Sequence, residues 1–98
     1  MIRHIVFFTA RNPENLDRIR DGLSILGNIP HASHFEIGQN LHTDALTGAP
    51  VDVIVYAEFD GEDDLAAYKA HPLYQRAIDL VRPLRDTRIA ADYVVPVG

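Results

Sequence analysis

The chain has no cysteine in its 98 residues, so a disulfide framework, a thiolate nucleophile, iron–sulfur ligation and Cys-based zinc sites are all excluded. Stability must come from packing. Basic residues are also few: nine Lys+Arg stand against fourteen Asp+Glu, a net charge of −5 with His neutral. That balance offers no broad basic footprint for phosphates and argues against a nucleic-acid partner. Long apolar runs are missing as well. The best candidate is interrupted by Asp52, Glu58 and Asp60, and none approaches the roughly 20 apolar residues of a membrane-spanning helix. The N-terminal stretch Met1 to Thr9 has too short an apolar run for a secretory signal, so the expectation is a cytoplasmic protein with no membrane partner. Repeats, linkers and low-complexity tracts are absent from the sequence. What is present is ordinary globular composition, 47% hydrophobic and 23% charged, which predicts one small-cored domain over residues 1–98.

Ile2 to Thr9, rich in β-branched and aromatic residues, reads as a strand stopped by Arg11-Asn12-Pro13. Asn12 is placed to cap a helix with Pro13 at its first position. Leu16, Ile19, Leu23 and Leu26 then draw one apolar stripe, and Gly27 and Pro30 end the helix. Ser33 to Leu41 alternates as a second strand, His42 to Pro50 is the longest loop, and Val51 to Phe59 is a third strand. Asp60 is the expected cap of a short acidic-ended helix running to Ala70. Pro72 disfavours helical geometry at His71, so the chain bends there and restarts as a helix with Leu73, Ala77, Leu80, Val81 and Leu84 on its apolar side, ending about Pro83 to Asp86. Thr87 to Val95 alternates as the last strand.

The order β-α-β-β-α-β is the ferredoxin-like α+β arrangement, a four-stranded antiparallel sheet with both helices on one face. An uncovered face is normally polar. Here strand 1 carries Ile2, Val6 and Phe8 on one side but Ile5 and Phe7 on the other, and strand 3 is apolar on both sides at its middle. No residues remain to cover the second face, which predicts a homodimer packed sheet on sheet.

The candidate chemistry lies with His4, His31, His34, His42 and His71, the side chains that titrate nearest neutral pH. His31, His34 and Glu36 are too few and too poorly placed for a zinc site, so no metal is expected. His4 is a polar group in an apolar row, either a satisfied core histidine or an active one. Tyr68 and His71 lie three apart at a helix end and are therefore near neighbours. His71 is read either as the cap of the next helix or as an acid/base group, and Tyr68 and Tyr74 either as core aromatics or as site residues.

Arg3-His4-Ile5-Val6, the strand from Val51 ending in Glu58-Phe59, Tyr68-Lys69-Ala70-His71-Pro72, and Asp92-Tyr93 together resemble the stress-responsive A/B barrel (Dabb) domain family over nearly the whole chain. The resemblance implies a dimeric α+β barrel, two ferredoxin-like sheets closed on each other, with a pocket between sheet and helices in each subunit. It makes His4, Tyr68 and His71 the candidate catalytic residues, with Phe8, Tyr56 and Tyr74 expected to bind the ligand. One plant relative in that family is a cofactor-free polyketide cyclase that uses the motif Tyr and a second motif His as acid and base. Tyr68 matches that Tyr, but Tyr74 stands at the second His, and a phenol near 10 is a poorer base than an imidazole.

The expected function is accordingly a stress-linked barrel that binds a small apolar, aromatic or carbonyl ligand, with no cofactor. The alternative is a cofactor-independent cyclase or isomerase in which an imidazole removes a proton α to a carbonyl and a Tyr supports the enolate. A monooxygenase of the wider superfamily ranks third.

Overall fold

The computed structural model describes residues 1–44 and 50–96. Positions 45–49, within the loop expected from His42 to Pro50, lie outside the described residues. Strand β1 runs Ile2–Ala10, β2 His34–Gln39, β3 Val53–Phe59 and β4 Arg85–Val94. Helix α1 spans Leu16–Ser24, flanked by 3-10 turns at Pro13–Asn15 and Ile25–Asn28, and α2 (Glu62–Ala70) and α3 (Pro72–Val81) follow β3. The sheet is antiparallel with order β2-β3-β1-β4, the ferredoxin-like α+β arrangement expected from the element order.

Local chemistry accounts for most boundaries. Asn12 accepts a hydrogen bond from the Glu14 amide, with Pro13 at the first helical position. The stripe Ile19, Leu23 and Leu26 is buried, but the single expected helix tightens into 3-10 geometry at both ends. Gly22 sits where α1 crosses α3, and a methyl there would stand 2.8 Å from Val81 Cγ2. At α2 the expectation fails: the cap position is Gly61 rather than Asp60 and makes no side-chain capping bond. Glu62, Asp63 and Asp64 in the first turn supply the favourable charge there instead. Helix α3 ends at Val81, earlier than expected, because Leu84 turns back to donate to the Val81 carbonyl and β4 then begins at Arg85.

Alternation decides which side chains reach the core. Ile2, His4, Val6 and Phe8 of β1 and Val53, Val55, Ala57 and Phe59 of β3 point at the helices and are buried. The opposite face bears Ile5, Phe7, Ile54, Tyr56, Ile89 and Tyr93 with no element over it, and Phe7, Ile89 and Tyr93 are exposed. Arg3 on that face donates to the Tyr93 hydroxyl at 3.2 Å, while its Nε is buried without a partner among the described residues. The helices shelter β2, β3 and β1 but stop short of β4, whose residues from Asp86 to Val94 are all exposed. No described helix is long and apolar enough to cross a membrane.

Candidate functional site

A cavity of about 210 Å³ opens between α3 and the sheet, toward the uncovered strand β4. Its interior is apolar, with Val6, Phe8, Leu23, Leu26 and Val81 among its walls, and its polar groups gather at two places.

The first contains His4. Opposite residues on antiparallel strands share a face, and the register pairs His4 with Asp92 of β4. The His4 Nδ1 is hydrogen-bonded to Asp92 Oδ1, and Asp92 Oδ2 accepts from Lys69 Nζ at 3.2 Å. Burial lowers the pKa of His4, outweighing the Asp92 hydrogen bond and charge that raise it, and Lys69 and Arg88 push it lower still. For Asp92 burial acts upward, but hydrogen bonds and charge from His4 and Lys69 hold the carboxyl below its ordinary value. Both directions describe the same pair, a neutral imidazole donating through Nδ1–H to a carboxylate. The acceptor lone pair is then on Nε2, which has no hydrogen-bond partner among the described residues.

Tyr68, fully buried in α2, forms the next part of the wall. Its ring meets Phe59 edge-on at 5.0 Å, Tyr74 at 5.3 Å and His4 at 5.9 Å between centroids. Its hydroxyl is buried and has no partner among the described residues. Leaving such a group unpaired costs about 1–3 kcal/mol. Burial pushes its pKa well above the ordinary phenol value, so Tyr68 is a proton-bearing donor throughout the neutral range.

The second polar place is the mouth, where Arg82, Arg85 and Arg88 line the cavity and Arg88 Nη2 donates to the Tyr74 hydroxyl at 3.2 Å.

Of the residues expected from sequence, His4, Phe8, Tyr68 and Tyr74 come together on this one cavity. His71 and Tyr56 do not. His71 caps α3, its Nδ1 accepting from the Leu73 amide at 3.1 Å, and its ring stands 6.1 Å from His31. Pro72 holds the His71 backbone extended, which suits a cap and turns the ring away from the cavity wall. Tyr56 alternates with the inward-facing Val55 and Ala57, so it lies on the bare sheet face, donating to Glu58 Oε2 at 2.6 Å. Neither joins the site for those reasons. His34 pairs with Glu36 at 2.6 Å on the same uncovered side, and His42 lies 3.8 Å from Asp52, both away from the cavity.

Asp92, Lys69 and the mouth arginines are the residues that sequence reasoning missed. The alternation of β4 does put Arg88 and Asp92 on one side, but the strand-to-strand register that brings Asp92 to His4 is not written in either strand alone.

Comparison with known proteins yields no match among curated proteins. Among solved structures, a dimeric ferredoxin-like protein of unknown function from Thermobifida fusca is 30% identical, covering 96% of this chain and 90% of that one with a TM-score of 0.78. A Dabb family protein with a ferredoxin-like fold from Mesorhizobium loti is 24% identical over 99% and 97% of the two chains, TM-score 0.79. A hydroxynitrile lyase from Passiflora edulis, 19% identical over 99% and 94%, shares the fold at a TM-score of 0.80. Residues 2–95 match the profile of the Stress Responsive A/B Barrel Domain, and the chain belongs to that family.

Proposed function

We propose that the protein is a homodimeric α+β barrel whose cavity binds a small, largely apolar molecule through a carbonyl oxygen. One observation carries the reading: Tyr68, whose buried hydroxyl has no partner among the described residues, lines the cavity beside a neutral, carboxylate-held His4. A ligand carbonyl supplies the missing acceptor, and the apolar walls take the rest. The volume, about 210 Å³, is below the roughly 300–1,000 Å³ of sites for drug-sized molecules and limits the ligand to a compact one. Dimerisation is supported by the apolar bare face, by the orphaned Arg3 Nε within it, and by the Thermobifida fusca relative being described as dimeric.

The test is calorimetric titration with benzoylacetone, a compact aryl diketone. Wild type is expected to bind and Tyr68→Phe to bind at least about tenfold more weakly, since a hydrogen-bond acceptor loses its donor. Equal affinity would remove the Tyr68 contact from the account.

The His4–Asp92 pair favours a second reading, cofactor-free proton transfer. In it, His4 Nε2 takes a proton from the carbon next to the carbonyl. The C–H electron pair becomes a carbon–carbon double bond, the carbonyl π pair moves to oxygen, and Tyr68 Oη–H hydrogen-bonds the enolate. Returning the proton to a different atom completes an isomerisation. Asp92 fixes the imidazole tautomer. The enol absorbance of benzoylacetone follows this step: acceleration of keto–enol interconversion that is lost in His4→Gln supports it, and a rate equal to buffer alone rejects it.

A further inference from the structure

We propose that the cavity selects apolar ligands ending in an oxyanion such as a carboxylate, held at the mouth by Arg82, Arg85 and Arg88 while the apolar body lies inward toward Tyr68. This rests on reading the cavity as a ligand site and adds the ligand's charge.

The chain carries a net −5, with fourteen acidic residues against nine basic, yet among the described residues no arginine pairs with a carboxylate, and what sets Arg82, Arg85 and Arg88 apart is that all three line one cavity. Lys69, by contrast, is engaged by Asp92. Arg88 spends one donor on the neutral Tyr74 hydroxyl, and Arg85 one on the Asp86 carbonyl at 3.3 Å. A guanidinium has five N–H donors, so most of the donor capacity at the mouth is unspent.

Their convergence is a built feature of the sheet. Arg85 and Arg88 are three residues apart, and simple alternation would send them to opposite faces. The register shifts between Phe8 and Ala10, however: Phe8 pairs with Arg88 and Ala10 with Arg85, so β4 has an extra residue opposite β1. This bulge restores both arginines to the face of Phe8 and Ala10. The buried Thr9 holds it, its hydroxyl oxygen accepting from the Thr87 amide at 2.9 Å and meeting the Thr87 hydroxyl at 2.5 Å. Arg82 joins them from just beyond the end of α3. The result is a polar gradient along one cavity. Arg88 is four residues from Asp92 along β4, about 13 Å between backbone positions at strand rise, which sets the basic mouth and the His4–Asp92 pair apart along the strand.

The experiment compares benzoylpropionate with its methyl ester, which keep the same aryl ketone and differ in charge. Titration at low ionic strength is expected to give at least about tenfold tighter binding of the carboxylate, a preference that shrinks with added salt. In Arg82→Gln/Arg85→Gln/Arg88→Gln the two ligands should bind alike. In Arg76→Gln, an exposed charge of α3 away from the cavity lining, the preference should persist. Equal binding of acid and ester by wild type, with both saturating, overturns the oxyanion selection and leaves the cavity reading intact. A preference that survives in the triple variant also overturns it, and failure of both ligands to bind overturns the two readings together.

Discussion

On the helix side of the sheet, Val6, Val55, Ala57 and Phe59 are closed over by α1, α2 and α3, whereas on the other side Ile5 and Tyr56 are half-buried and Phe7, Ile89 and Tyr93 lie exposed. The same strands build both faces, so the difference comes from what each face meets. The helix side is complete except above β4, where the helices stop and a mainly apolar cavity with polar groups at two places remains. The bare side carries exposed apolar side chains, the Tyr56–Glu58 and His34–Glu36 pairs, and an arginine whose Nε is unpaired among the described residues. Burial on the covered side shifts two titratable groups, lowering the His4 pKa and raising that of Tyr68. The other face is suited to assembly, since covering it removes apolar surface from water without needing any reactive group.

The largest effect that separates the two faces is expected from Phe59→Ala, which empties a fully buried position. The loss should be about 3–5 kcal/mol by denaturant titration and independent of protein concentration. A concentration-dependent loss would show that this position, too, depends on a second copy. Phe7→Asp on the bare face should act differently. It places a charge in the proposed contact and should convert a dimer into a folded chain of 10.9 kDa by sedimentation, with secondary structure kept. A wild type already at that mass would break the comparison outright.

Smaller is the pH dependence built into the His4 pair. Because its folded pKa lies below the usual 6.5, His4 contributes stability that is fully present above that value and is lost as pH falls through the folded pKa. Asp92 is likewise depressed, but its contribution is lost only below the carboxylate range near 3.8. Between pH 7 and 5 the wild-type midpoint should therefore fall more steeply than that of His4→Gln, which keeps a donor for Asp92 but does not titrate. Parallel curves would contradict a neutral buried imidazole. Smallest of all, Ile89→Ala should change the stability of a dissociated chain by no more than about 0.5 kcal/mol, its cost appearing instead as weaker dimerisation.

Much of this was legible in the sequence because period two is a strong signal in strands with β-branched cores. Ile2, His4, Val6 and Phe8 share a face in the sequence and in the structure, and the order of elements led directly to the ferredoxin-like sheet. The same alternation already put Tyr56 opposite Val55 and Ala57, and so on the face away from the cavity. His71 shows the competition at a helix start, where a side chain beside Pro72 is used by the nearest orphan amide before any distant site. Asp92 and the arginine mouth were hidden for another reason. They depend on strand register and on a bulge, both of which arise from pairing between segments more than seventy residues apart rather than from any local pattern.

The central claim is that the helix-side cavity receives a carbonyl oxygen at Tyr68. A crystal structure of the protein with benzoylacetone tests it directly. The account predicts the ligand between α3 and the sheet, with an oxygen within hydrogen-bond distance of Tyr68 Oη and its phenyl ring among Val6, Leu23 and Val81. A ligand seated on the bare face, or one in the cavity with its oxygens turned away from Tyr68, would contradict it.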